Sequence, residues 1–184
     1  MAEKTFSVTG DQYRKIDRKM TEIKRQLNQK LGSPLDPAKV SNALQEIIEP
    51  KYIIDCDVDP YIPNNLKIEE HIKGGQLQWN TEEVELYLCD KQKSGSIEGN
   101  KLRKKLKGKF VLNACVLDYL LANPQLIPES WKGKYIFFWG TIYRNSDGSL
   151  YVRCLYWIGG EWRWSGCWLD DRWYVSFPAA VSHK

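Results

Sequence analysis

Residues 150–175 read LYVRCLYWIGGEWRWSGCWLDDRWYV, two runs in which large side chains recur at every second position on either side of a Gly-Gly pair. A two-residue turn with positive φ at both positions suits Gly-Gly, and its twist matches that of two antiparallel strands. A turn at Gly159-Gly160 sets the pairing of everything around it. Trp157 is placed opposite Trp162, Leu155 opposite Trp164 and Tyr151 opposite Trp168, all on one face. Val152, Cys154, Tyr156 and Ile158 share the other face with Glu161, Arg163, Ser165 and Cys167. The first face is all bulk except Arg153 and Gly166. Aromatic cross-strand pairs add about 0.5–1.5 kcal/mol each beyond area burial, so this hairpin is expected to be the stable centre of the fold.

The same period of two extends outward. KYIFFWGTIYR precedes the hairpin through the turn residues NSDGS, and a shorter run, RWYVSF, follows it. Together they predict an antiparallel β-meander of three to four strands over about 133–178. The strand from Tyr135 to Arg144 would alternate Tyr135, Phe137, Trp139, Thr141 and Tyr143 with Ile136, Phe138 and Ile142. A one-residue ambiguity in pairing through NSDGS leaves open which set faces inward.

Upstream of Trp131 the apolar period is helical. Thr9-Gly-Asp-Gln12 forms a capping box ahead of Tyr13, Ile16, Met20, Ile23 and Leu27. Asp36-Pro37 opens a second helix that stops before Pro50, giving a helical hairpin. Residues 51–78 carry turn signals and one short strand candidate, KYIID. Asn80-Thr-Glu-Glu83 predicts a helix through Leu88, Ser96 another as far as Gly108, and Asn113 caps a third, ACVLDYLLA, stopped by Asn123-Pro124. The expected fold is α+β, a single domain over 1–184, with the helical part (about 9–123) packed on the meander.

The run GNKLRKKLKGKFVLNACVLDYLLANPQLIPESWKGKYIFFWGTIYR, with TGDQYRKIDRKMTEIKRQLNQK and IDCDVDP before it, resembles an uncharacterised family of bacterial proteins over almost the whole chain. The resemblance implies a bacterial cytoplasm and no particular activity or ligand. Composition agrees: no window approaches a membrane span, the start lacks a secretory signal, and the five cysteines show no CxxC spacing. A soluble cytoplasmic protein with reduced thiols, no cofactor and no membrane partner is expected.

Three groups of residues could carry function. The first is YIIDCDVDPY, where Asp55, Asp57 and Asp59 at the end of a strand could hold a divalent metal for phosphoryl transfer or hydrolysis. Against it, the later lysine and paired-aspartate motifs of haloacid-dehalogenase-type phosphatases are missing, and Pro60 and Leu66 stand where a calcium loop needs Gly and Glu. Histidine is scarce, so a Cys-His nucleophile would need His71 with Cys56, Cys89 or Cys115, and no local motif selects among them.

The second group is basic. Residues 91–110 hold eight bases against one acid, whereas residues 46–90 hold eleven acids against three bases. Lys101, Arg103, Lys104, Lys105 and Lys107 would fan out from a helix whose Leu102 and Leu106 face inward. They could meet a polyanion, nucleic acid included, or pair with the acidic region. The third group is the aromatic surface itself, Trp157, Trp162, Trp164, Trp168 and Trp173 with Arg153, flanked by Arg144, Arg163 and Arg172. Such a surface suits a partner protein, stacked bases or sugars. These features favour a non-catalytic binding or interaction protein over a metal-dependent enzyme, with a non-specific single-stranded nucleic-acid binder as a third reading.

Overall fold

The structure, a computed structural model, describes residues 7–48 and 52–183, and its fold is α+β. These residues form two compact units, 7–48 and 52–183. The first holds helix α1 (Gly10–Leu27) and helix α2 (Pro37–Ile48). Both caps read from the sequence are present. The Thr9 hydroxyl accepts from the Gln12 amide at 3.3 Å while the Thr9 amide donates to the Gln12 side chain at 2.9 Å, and Asp36 accepts from the Ala38 amide at 2.9 Å. Neither helix has a buried residue. Of the stripe expected to face a core, Ile16 is exposed and Met20, Ile23 and Leu27 are half-buried. No helix among the described residues is long and apolar enough to cross a membrane.

The second unit runs through strands β1 (Ile53–Asp55), β2 (Leu66–His71), β3 (Gln76–Gln78) and β4 (Val84–Tyr87), then helix α3 (Asp90–Lys93) and strand β5 (Ile97–Glu98). Helix α4 (Gly99–Leu106), strand β6 (Phe110–Val111) and helix α5 (Ala114–Ala122) follow. The chain then forms β7 (Ile136–Phe137), β8 (Thr141–Asn145), β9 (Leu150–Ile158), β10 (Glu161–Trp168), β11 (Arg172–Trp173) and β12 (Ala179–Ser182). The main sheet has eight strands, ordered β2, β8, β9, β7, β12, β4, with β10 along the other side of β9 and β6 on β12. Strand β12 runs parallel to β7, so the sheet is mixed. The hairpin register is the one its turn sets: Trp157 lies opposite Trp162, Leu155 opposite Trp164 and Tyr151 opposite Trp168, and Gly159 and Gly160 both have positive φ, 62° and 83°.

Alternation divides the core into two clusters on opposite faces of the sheet. Ile136, Phe138, Leu155 and Ala180 pack with α5 on one face. Phe137, Trp139, Val152, Cys154, Ala179 and Val181 pack with Leu102 and Leu106 of α4 on the other. The expected Tyr135–Arg144 strand is broken between these layers. Ile136 faces Leu155 and Tyr143 faces Tyr151, so a longer stretch of this segment spans a shorter one of β9 and residues around Trp139-Gly140 bulge out. The bulge exchanges the faces: Ile142 joins Phe137 and Trp139, which it was expected to oppose. Gly140 is required there, because a Cβ would lie 2.8–2.9 Å from Asn113.

Other expectations are corrected too. The sheet is not a simple antiparallel meander, since it recruits β2, β4 and β6 from the part of the chain expected to be helical or irregular. Asn80 caps only a 3₁₀ turn, Thr81–Glu83, accepting from the Glu82 amide at 3.0 Å. Val84 and Leu86 then alternate inward as a strand, because β12 offers β4 an edge to pair with and an isolated turn has none. Helix α4 starts at Gly99, where a Cβ would strike Leu169 and the Trp173 indole. Of RWYVSF only Arg172–Trp173 is a strand, and it pairs with β5 instead of extending the meander.

Candidate functional site

The aromatic face of the β9–β10 hairpin is neither wholly core nor wholly surface. Trp173 is fully buried with Phe137 and Trp139 in the α4-side cluster, and so does not belong to the surface expected to contain it. Trp157, Trp162 and Trp168 are half-buried, and Trp164 is 36 % exposed. The rings hold one another edge to face: Trp157 and Trp162 with centroids 5.3 Å apart, Tyr151 and Trp168 at 4.8 Å, Trp164 and Tyr61 at 5.6 Å. Lys132 places its ammonium 3.9 Å from the Trp157 ring centre. Gly166 lacks a side chain because the Tyr151 ring occupies its place: a Cβ there would lie 2.4 Å from the ring.

Arg153, expected on the surface, is buried with 1 % exposure. Burial is tolerable because the charge is paired and hydrogen-bonded. Its Nη2 donates to Asp118 of α5 at 2.7 Å and its Nη1 to the Tyr61 carbonyl at 3.2 Å. The guanidinium also lies 4.8 Å from the Trp164 ring centre and 5.0 Å from that of Tyr61. The Tyr61 amide donates to Asp118 at 2.9 Å and the Tyr143 hydroxyl to the Tyr61 carbonyl at 3.0 Å. The network fixes the loop bearing Tyr61 beside Trp164. The signal for it in the sequence was a lone arginine on a face of rings and a lone acid in the apolar helix ACVLDYLLA. Of the flanking arginines, Arg144 is paired with Glu69 and Arg163 with Glu161.

The aspartate group does not converge. Among the described residues no three His, Cys, Asp or Glu side chains are placed to hold a metal ion. Asp55 and Asp57 serve backbone amides instead: Asp55 accepts locally from the Asp57 amide at 3.0 Å, and Asp57 from the Gly75 amide of the facing segment at 2.9 Å. All three aspartates are exposed.

The structure does bring His71 and Cys115 together, with Nε2 and Sγ 3.8 Å apart at the start of α5. Three observations oppose an activated nucleophile. His71 Nε2 is 3.1 Å from the Cys56 carbonyl, which only accepts, so this nitrogen carries the proton and cannot take one from the thiol. Nδ1 then accepts from the Thr141 hydroxyl at 2.8 Å. The Cys115 thiol donates to the Val58 carbonyl at 3.2 Å, and burial, with Cys56, Asp118 and Asp55 nearby, pushes its pKa up to about 12. Asn113 holds the junction closed, donating to the carbonyls of Cys56 at 2.8 Å and Ile72 at 3.0 Å.

The basic block divides. Lys101 pairs with Glu98 at 2.9 Å, and Arg103 pairs with Glu70 of the acidic region. Lys104, Lys105 and Lys107 form no ion pair among the described residues. They lie on the α4 side of the sheet, while the aromatic hairpin face is on the α5 side, so a short strand lying on one face does not meet both. No family model, curated protein or solved structure matches the chain.

Proposed function

We propose that residues 52–183 form a non-catalytic binding module of a bacterial cytoplasm that reads an extended segment of a partner protein along the edge of β10. The observation that carries this reading is an open edge strand bearing rings. Among the described residues β10 pairs with no strand but β9, and its outer edge is free of other backbone bonds from Trp162 to Gly166, while at Trp168 the carbonyl already accepts from the Asp171 amide and the Trp173 indole. Its alternate residues Trp162, Trp164 and Trp168 sit on one face and none is fully buried. In a two-residue hairpin the residues flanking the turn form a hydrogen-bonded pair, so the odd-numbered residues of β10 turn their amides toward β9. The amides of Trp162, Trp164, Gly166 and Trp168 then point outward. An added strand takes affinity from those groups and specificity from the rings beside them. Natural edges are usually blunted, and this one retains large apolar side chains. The cytoplasmic setting rests on the family resemblance and on five free cysteines.

The test is selection from a library of extended peptides, followed by amide exchange on the complex. Selected peptides should protect the amides of Trp162, Trp164 and Gly166, and should bind at least about tenfold more weakly to Trp164→Ala. A library that yields no binder, or binders that leave those amides exchanging as in the free protein, would overturn the reading.

A further inference from the structure

The α4 side of the sheet carries a cleft of about 840 Å³ between α4, the segment after it, and β2. Arg103, Lys104, Lys107 and Lys109 line it, with Glu70 as the one carboxylate and Trp139 among the apolar residues. Glu70 is already taken by Arg103. Lys109 lies over the Tyr87 ring at 4.1 Å, and no ion pair compensates Lys104 or Lys107 among the described residues. Like charges gathered around one concavity repel, and a bound counter-charge relieves that repulsion.

A second, independent observation concerns Trp139. Its side chain is 3 % exposed, and its indole N–H is buried with no hydrogen-bond partner. A buried donor without an acceptor is rare in folded proteins and leaves a partner to be supplied; among the described residues the other such atom is Arg153 Nε, in the network under the hairpin. The charged side chains of the cleft are thus four cations against one carboxylate, which Arg103 already holds.

We propose that this cleft binds a compact, multiply charged anion of the phosphate class, such as the polyphosphate of a nucleotide. Its volume falls in the roughly 300–1,000 Å³ range of small-molecule sites. Only part of the basic block lines it: Lys105 does not, and Lys101 is held by Glu98. That arrangement gathers charge at one point, which suits a compact phosphate group better than the length of a strand. The site is separate from the β10 edge, so it stands or falls apart from the peptide reading.

The test uses the whole chain, with pyrophosphate, ATP and a single-stranded oligonucleotide as probes, by calorimetry at low and at physiological ionic strength. The indole N–H resonance of Trp139, identified as the one lost in Trp139→Phe, provides a second readout. Pyrophosphate or ATP should bind and shift that resonance. Affinity should fall at least about tenfold in Lys104→Glu/Lys107→Glu and by less than about twofold in Lys105→Glu. Absence of pyrophosphate and ATP binding at low ionic strength would overturn the proposal. So would an equal loss in Lys105→Glu, or an oligonucleotide that binds more tightly than either small anion. If the double variant does not fold, an unmoved Trp139 resonance in the wild-type protein under saturating ATP overturns it alone.

Discussion

Replacing Asp118 by asparagine isolates what the buried arginine needs. The change keeps the shape of the side chain, removes its charge and leaves one acceptor where two are used, by Arg153 Nη2 and by the Tyr61 amide. Breaking a fully buried ion pair by removing one partner costs about 3–5 kcal/mol. Two features lower that figure: the Asp118 side chain is 28 % exposed, and Arg153 keeps the Tyr61 carbonyl and two ring faces. A loss of about 2–3 kcal/mol is expected, or a fall in Tm of about 5–12 °C for a unit of this size. Urea denaturation of Asp118→Asn, Arg153→Met and the double variant closes a cycle. The double variant, with no buried charge left, should be more stable than Asp118→Asn alone. If it is no more stable, the cost does not come from an unpaired arginine and the electrostatic account of the hairpin's anchor is wrong.

Further outcomes follow from neighbouring contacts. Gly140→Ala should lower the urea midpoint clearly, because its Cβ meets Asn113 backbone, whereas Gly95→Ala, with nothing within 4 Å, should not. Trp173→Ala should cost about 3–5 kcal/mol by denaturation, and Trp164→Ala, partly exposed, less than about half of that. The Cys115, Cys154 and Cys167 thiols are held near pKa 12 by burial against an ordinary 9. Their contribution to stability is complete below pH 9 and is lost as pH rises toward 12, since the unfolded thiols ionise first. Denaturation midpoints should fall across that window, and a Cys→Ala triple variant should flatten the fall. Alkylation of Cys115 at pH 8 should be slow in the native protein and fast in urea.

What the sequence revealed depended on how local the deciding interaction was. The hairpin register followed from Gly159-Gly160, and the caps at Thr9, Asp36 and Asn113 from a side chain and the amides just after it. Strand β4 was hidden because a capping signal at Asn80 looks the same whether one turn or four follow it. Strand β12 was hidden because Ala179 and Ala180 are weak strand formers, and their place is set by β4 and β7, remote in sequence. The bulge at Gly140 packs against Asn113, a contact remote in sequence that no periodicity records. At the candidate site the rings were legible, but their division was not: Trp173 and Trp164 differ only in what packs over them. Arg153 was noticed as an exception on its face, and its partner stood unremarked in an apolar helix.

The position of β12 has a consequence for how this protein is made. It lies between β7 and β6 on one side and β4 on the other, joining strands translated about ninety-five (β4), about seventy (β6) and about forty (β7) residues before it. On the ribosome, α1 and α2 can form as soon as they emerge, since their hydrogen bonds are local. The sheet cannot close until residue 182 has left the exit tunnel. Throughout that interval β4 and β7 wait with unpaired edges and two halves of an aromatic core uncovered, a state in which a nascent chain is open to aggregation and to chaperones.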